Sequence, residues 1–126
     1  MKKIINTSNA PTPIGLYSQA VSANGSLYIS GQIAIDPDTE ELILIEIKSE
    51  TRQVMENIKA ILEEAGMDFN NVVKCSIFIS DMDNFGQINE VYGSYFTENF
   101  PARETVAVAG LPMNVNVEIS VIAVVL

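Results

Sequence analysis

The sequence predicts an α+β fold, a sheet in the order β-β-β-α-β-α-β-β with two helices on one face. Three observations carry this. Val54, Ile58, Ile61, Leu62 and Ala65 recur at helical spacing. Residues 115–125 alternate apolar and polar with the period of a strand. Short strand-like runs with turn signals fill most of the remainder. At 126 residues the chain fits one domain spanning 1–126, with no repeat, low-complexity tract or linker long enough to divide it.

The start, Met1 to Asn6, reads as a short first strand; Asn and Thr arrive too early for a secretory leader. Strand-like segments follow at about 18–23, 27–35 and 41–47, around the turn cluster Asp36-Pro37-Asp38-Thr39-Glu40. The first helix has Ser49 as N-cap, Glu50 in its first turn and Gly66 as the residue beyond its C-cap. Arg52 with Glu56, and Lys59 with Glu63, are spaced to pair on its exposed side. Residues 72–79 form a strand containing the single cysteine, Cys75, which reads as a plain core residue. A second helix is expected over 83–96, capped by Asp81 or Asp83, with Phe85, Ile88, Tyr92, Tyr95 and Phe96 as its stripe. Gly86 and Gly93 weaken it, so packing must hold it. Strands at 103–109 and 115–125 end the chain, and Gly110-Leu111-Pro112 suggests that they form an antiparallel hairpin.

Composition narrows the function. Hydrophobic residues are 48% of the chain and charged ones 18%, as in a globular protein. The net charge of −9 argues against nucleic acid as a partner, because phosphate binding needs a basic surface. No apolar run approaches the roughly 20 residues of a membrane helix, so no membrane partner is expected. One cysteine supports no disulfide framework, which fits a reducing, cytoplasmic location. Histidine is absent, removing the commonest metal ligand and the commonest general base, so no metal is expected. Acid–base chemistry then falls to carboxylates, Tyr, Lys or Cys75.

The last strand places Val115, Val117, Ile119, Val121, Ala123 and Val125 on one face and Asn114, Asn116, Glu118 and Ser120 on the other, where Ile122 and Val124 then turn apolar. A strand apolar on both faces is covered on both, here by helices and by a partner subunit. Glu118 is then a partly buried carboxylate that must be paired or functional. If Val106 and Val108 share the core face with Val117 and Ile119, then Arg103, Thr105 and Glu118 project together to the other face, with Thr105 across from Glu118. Glu104 points the opposite way from Arg103. The arginine and carboxylate are either an ion pair at an interface, or a fork for a substrate carboxylate beside a group that handles water.

Pro101-Ala102-Arg103, Val106, Val108-Ala109, Leu111-Pro112 and Val117-Glu118-Ile119 together resemble the C-terminal signature of the RidA/YjgF family. Asn9-Ala10-Pro11, Ile14-Gly15, Tyr17-Ser18-Gln19-Ala20, Ser30-Gly31-Gln32-Ile33, Asn71-Val72-Val73-Lys74 and Asn89-Glu90-Val91-Tyr92 extend the resemblance nearly end to end. It implies a chorismate-mutase-like fold, a homotrimer with sites between subunits, and cofactor-free hydrolysis of 2-imino or enamine acids to 2-keto acids and ammonia. Carried over, Arg103 binds the substrate carboxylate and Glu118 activates water, while Tyr17, Ser30, Gly31, Asn89 and Thr105 line the site. Leu16, Glu104, Thr105 and Gly110 depart from the family's frequent proline, small residue, cysteine and arginine; Thr105 excludes a thiol mechanism there. The competing reading is a non-catalytic metabolite-binding regulator or holdase using the same clefts. Retention of Glu118 beside Arg103 favours chemistry, since a carboxylate sensor needs only the arginine. A chorismate mutase would rest on fold analogy alone.

Overall fold

The computed structural model describes residues 1–126. Its elements are β1 Lys3–Ile5, β2 Ala20–Ala23, β3 Ser26–Gln32, α1 Ile47–Glu64, β4 Val72–Ile79, α2 Phe85–Gly93, β5 Ala102–Ala107 and β6 Val117–Val124, with short 3-10 turns at Phe69–Asn71, Met82–Asn84 and Pro112–Asn114. They match the expected order. The strands form one mixed sheet, β1-β2-β3-β6-β4-β5. Between the sheet and the two helices lies a cluster of buried residues that includes Leu27, Ile58, Ile61, Leu62, Ile77 and Ile119.

Local chemistry explains most boundaries. Asn24-Gly25, both with positive φ, turn β2 into β3. Helix α1 ends in a Schellman motif. Gly66 sits at φ +74°, its N–H donates to Glu63, and the Met67 N–H donates to Leu62. Its start differs from expectation. The helix begins at Ile47, with Glu46 at the N-cap, and Ser49 lies inside the first turn, where its Oγ donates to Glu46 Oε1 at 3.1 Å. The Arg52–Glu56 and Lys59–Glu63 pairs do not form. Glu56 instead accepts from the Tyr95 hydroxyl at 2.7 Å, a bond worth more than an exposed ion pair between two flexible side chains.

Three other expectations are corrected. Residues 41–47 are not a strand: a single bridge, Ile35 to Leu42, is their only ladder contact. Helix α2 is shorter than 83–96. It is preceded by the Met82–Asn84 turn, in which Asp81 caps the Asp83 N–H, and it ends at Gly93. Tyr95 and Phe96 pack against the core from beyond it.

The third correction is topological. β5 and β6 are not a hairpin. β5 runs parallel to β4, as the α2 crossover requires, and β6 pairs antiparallel with β4 on its other side. The chain after β5 therefore crosses the end of β4 before entering β6. Directly opposed residues share a face, so the registers Ile77–Thr105 and Cys75–Arg103 put Thr105 and Arg103 on the helix-covered side. The registers Phe78–Glu118 and Phe78–Val106 put Glu118 and Val106 on the open side. The expected parity does not hold because Val106 lies on an edge strand. There its side chain is 41% exposed on the open face and takes no part in the core.

Candidate functional site

The expected site residues fall into two clefts on opposite faces of the sheet. On the helix-covered side, at the β5 edge, Arg103 leads a cleft of about 480 Å³ shared with Asn89, Tyr92, Gly93, Phe100 and Pro101. The Arg103 Nη1 donates to Asn89 Oδ1 at 2.6 Å, and the guanidinium carbon stands 5.1 Å from the Tyr92 ring centre and 5.6 Å from that of Phe85. An exposed arginine is normally mobile. Here one bond and two ring faces fix the plane of the fork while its remaining N–H groups stay free. Neither of the chain's two salt bridges, Lys48–Glu90 and Lys74–Glu104, involves Arg103. The ion pair between Arg103 and a carboxylate of its own chain is thus absent, and the cation is free to bind an external anion.

Behind Arg103 lie Cys75 and Thr105. Burial pushes the Cys75 thiol above its ordinary value, which makes it an inert core group. Thr105 Oγ1 is buried without a hydrogen-bond partner. Glu104 points the opposite way from Arg103, as expected, but that side is the open face and not the core. It pairs there with Lys74 at 2.9 Å and accepts from the Ser76 hydroxyl, which holds its carboxyl below the usual range; the bond from Ser76 contributes most.

On the open face Glu118 occupies a cleft of about 400 Å³ with Tyr17, Ser30, Gly31, Ile14 and Pro112. Register shifts between Ile29 and Gln32, so the strand bulges there, and Gly31 lies against the glutamate. A Cβ on Gly31 would stand 2.8 Å from Glu118 Cδ and 2.9 Å from Oε2. Glycine is therefore needed to let the carboxyl lie on the backbone. The Ser30 hydroxyl donates to the Ser18 carbonyl at 2.6 Å and braces the bulge. Tyr17 is on a loop, 47% exposed, and its hydroxyl accepts from the Ile14 N–H at 3.2 Å. Glu118 has no cation beside it, and burial raises its carboxyl above the ordinary range. A carboxylate so placed is a stronger base than one in water.

Within one chain, then, Arg103 and Asn89 come together, as do Tyr17, Ser30, Gly31 and Glu118, but the two groups do not meet. The sequence did not reveal Phe85 and Tyr92 as the rings under the arginine, because both read as parts of the α2 core stripe. Phe100, Ile14 and Pro112 lie in segments without periodicity; Ile14 and Pro112 stand within motifs of the resemblance, but nothing in the sequence gives any of the three a place in the site.

The open face also carries apolar side chains that one chain leaves only partly covered. Ile4, Val21, Tyr28 and Ile122 lie in one row across β1, β2, β3 and β6, and Ile4 and Tyr28 are each 50% exposed.

The sequence profile of the Endoribonuclease L-PSP family matches residues 7–125. A RutC family protein of Pyrococcus horikoshii is 54% identical over 98% of both chains. The 2-iminobutanoate/2-iminopropanoate deaminase of Mus musculus is 45% identical, over 98% of this chain and 92% of that one. Among solved structures, RidA from an Antarctic Psychrobacter species gives a TM-score of 0.94 at 44% identity, over 98% of this chain and 99% of that one. TdcF of E. coli, solved with bound serine, gives 0.94 at 39% identity, with the same coverage. Matched along nearly its whole length in sequence and in fold, the chain belongs to the Endoribonuclease L-PSP family, also known as RidA/YjgF.

Proposed function

We propose that this protein hydrolyses 2-imino acids to 2-keto acids and ammonia, at a site built from the Arg103 cleft of one chain and the Glu118 cleft of another. The observation that carries this reading is the division of the two groups between opposite faces. A free, ring-stacked arginine and an unpaired, desolvated carboxylate can act on one small molecule only if a second copy brings them together. The apolar row on the open face supports such an assembly, since one layer of two helices covers only one side of a sheet.

In the proposed chemistry Arg103 holds the carboxylate of a 2-iminium acid in its fork. Glu118 takes a proton from water as the water oxygen bonds to C2, and the C=N π pair moves onto nitrogen. Protonated Glu118 returns the proton to that nitrogen. The C–N bond then breaks as C=O forms, and the hydroxyl proton leaves with ammonia as ammonium. The iminium carbon is already electrophilic, so a positioned base worth roughly 10²–10⁴-fold suffices. No step requires a cofactor. The deaminase name of the mammalian relatives supports this reading. The endoribonuclease description of the family is less compatible with a chain of net charge −9.

The test is release of ammonia and keto acid from 2-iminopropanoate or 2-iminobutanoate generated in situ by an amino-acid oxidase. Accelerated release over buffer is expected; none, with the keto acid still bound, would favour a metabolite-binding regulator. The homotrimer implied by the family should appear in light scattering as a species of about three times the 13.7 kDa chain. A charge placed on the open face by Val124→Asp should reduce trimer and activity in parallel. A fully active Val124→Asp monomer would contradict the shared site.

A further inference from the structure

We infer that Glu50 is a positioning residue for Glu118, a proposal that rests on the deaminase reading above. Glu50 lies in the first turn of α1 and reads in sequence as an ordinary acid near a helix N-terminus. In the structure it is fully buried and has no cation. Its Oε2 accepts from the Asn116 N–H at 2.7 Å and from the Val117 N–H at 3.2 Å, and its Oε1 accepts from the Asn116 Nδ2 at 2.7 Å. A single carboxylate thus ties α1 to two consecutive residues at the entry to β6, and Glu118 is the next residue along.

This entry needs a tie. The preceding turn, Pro112–Asn114, has both Met113 and Asn114 in the left-handed region, at φ 55° and 56°. Such conformations persist in non-glycine residues only where the surroundings over-determine them. Pro112, at the head of the turn, walls the Glu118 cleft. Glu50 therefore fixes both the base and one wall of its cleft, from the far side of the sheet. A buried carboxylate is a costly way to hold a strand unless its position matters, and three donors are the condition under which it is tolerated. The geometry points to hydrogen bonding rather than charge as the means. Glutamine can keep both backbone bonds through its oxygen, while its Nε2 donates to Asn116 if that amide turns over.

The test compares Glu50→Ala with Glu50→Gln in the full-length protein, well below the Tm of each variant. For Glu50→Ala we expect kcat to fall roughly tenfold to a hundredfold with KM little changed, because the Arg103 fork is untouched. Glu50→Gln should keep kcat within about threefold of wild type. In a second readout, the ¹³C carboxyl titration of Glu118, assigned by its loss in Glu118→Gln, should move in Glu50→Ala and stay in place in Glu50→Gln. This measurement needs no turnover, so it stands even if the wild type proves inactive and the deaminase reading falls. Should Glu50→Ala fail to fold, Asn116→Ala removes one of the three bonds and should give the same pattern, reduced to a few-fold. A lower Tm with kcat and titration unchanged would reduce Glu50 to a structural residue. Equal displacement in Glu50→Ala and Glu50→Gln would make its effect one of charge. Either result overturns the proposal.

Discussion

Arg103→Ala should abolish deamination while leaving the fold and its assembly intact. The fork's free N–H groups would make two charge-assisted bonds to a substrate carboxylate, each worth about 1.5–3 kcal/mol, so their loss corresponds to roughly 10²–10⁴ in kcat/KM. Little else depends on the side chain. It is exposed, makes no salt bridge, and its one hydrogen bond goes to the equally exposed Asn89. Thermal unfolding should therefore change by no more than a typical surface substitution. Arg103→Lys is the informative companion. A lysine keeps the charge but loses the planar fork and its ring stacking, so most of the defect should remain. Near-normal turnover in Arg103→Ala would remove the fork from the mechanism.

Glu118→Gln should bind keto-acid product normally and lose turnover by roughly 10²–10⁴, because an amide of nearly the same size cannot take the water's proton. Two pH effects accompany the loss, both from the raised Glu118 carboxyl. The base is the ionised form, so wild-type kcat should fall as pH drops through a value above the usual carboxylate range, and this acid limb should disappear with glutamine. For stability the sign is opposite. The folded state holds its Glu118 proton more tightly than the unfolded chain, so stability is greatest below the ordinary carboxylate value and declines as pH rises through the raised one. Glutamine removes that decline, so its Tm advantage over wild type should be present at neutral pH and vanish in acid. Calorimetry with keto acid and a pH series of melting curves check the two halves. Wild-type rates with glutamine would eliminate Glu118 as the base.

The fold was legible where the chain carries period or punctuation. The stripe of α1, the glycine at 66 and the alternation of β6 each report one element, and each is present. Pairing was not legible in the same way. Alternation says which residues of a strand share a face, but not which strand lies beside it, and the short Gly110–Pro112 segment resembled a hairpin turn although β4 lies between its flanking strands. That single misjudged neighbour reversed the face assigned to Arg103 and Thr105. Strand patterning points to Arg103, Thr105 and Glu118 and motifs supply Tyr17, Ser30, Gly31 and Asn89, but neither carries three-dimensional information. Glu50 shows a further limit, because its partners Asn116 and Val117 are 66 and 67 residues away in sequence.

The central claim is that Arg103 and Glu118 serve one reaction from different chains, and the direct measurement mixes two dead variants. Arg103→Ala and Glu118→Gln chains are co-expressed, and the mixed assemblies are purified on different tags and assayed together. In a cyclic trimer each site would take its arginine from one chain and its carboxylate from the next. A purified mixed trimer holds two chains of one kind and one of the other, so just one of its three sites pairs an intact Arg103 with an intact Glu118. About a third of wild-type activity should therefore return. If both residues had to come from the same chain, no mixed site would be intact. Mixed trimers verified by mass and as inactive as either parent would contradict the account.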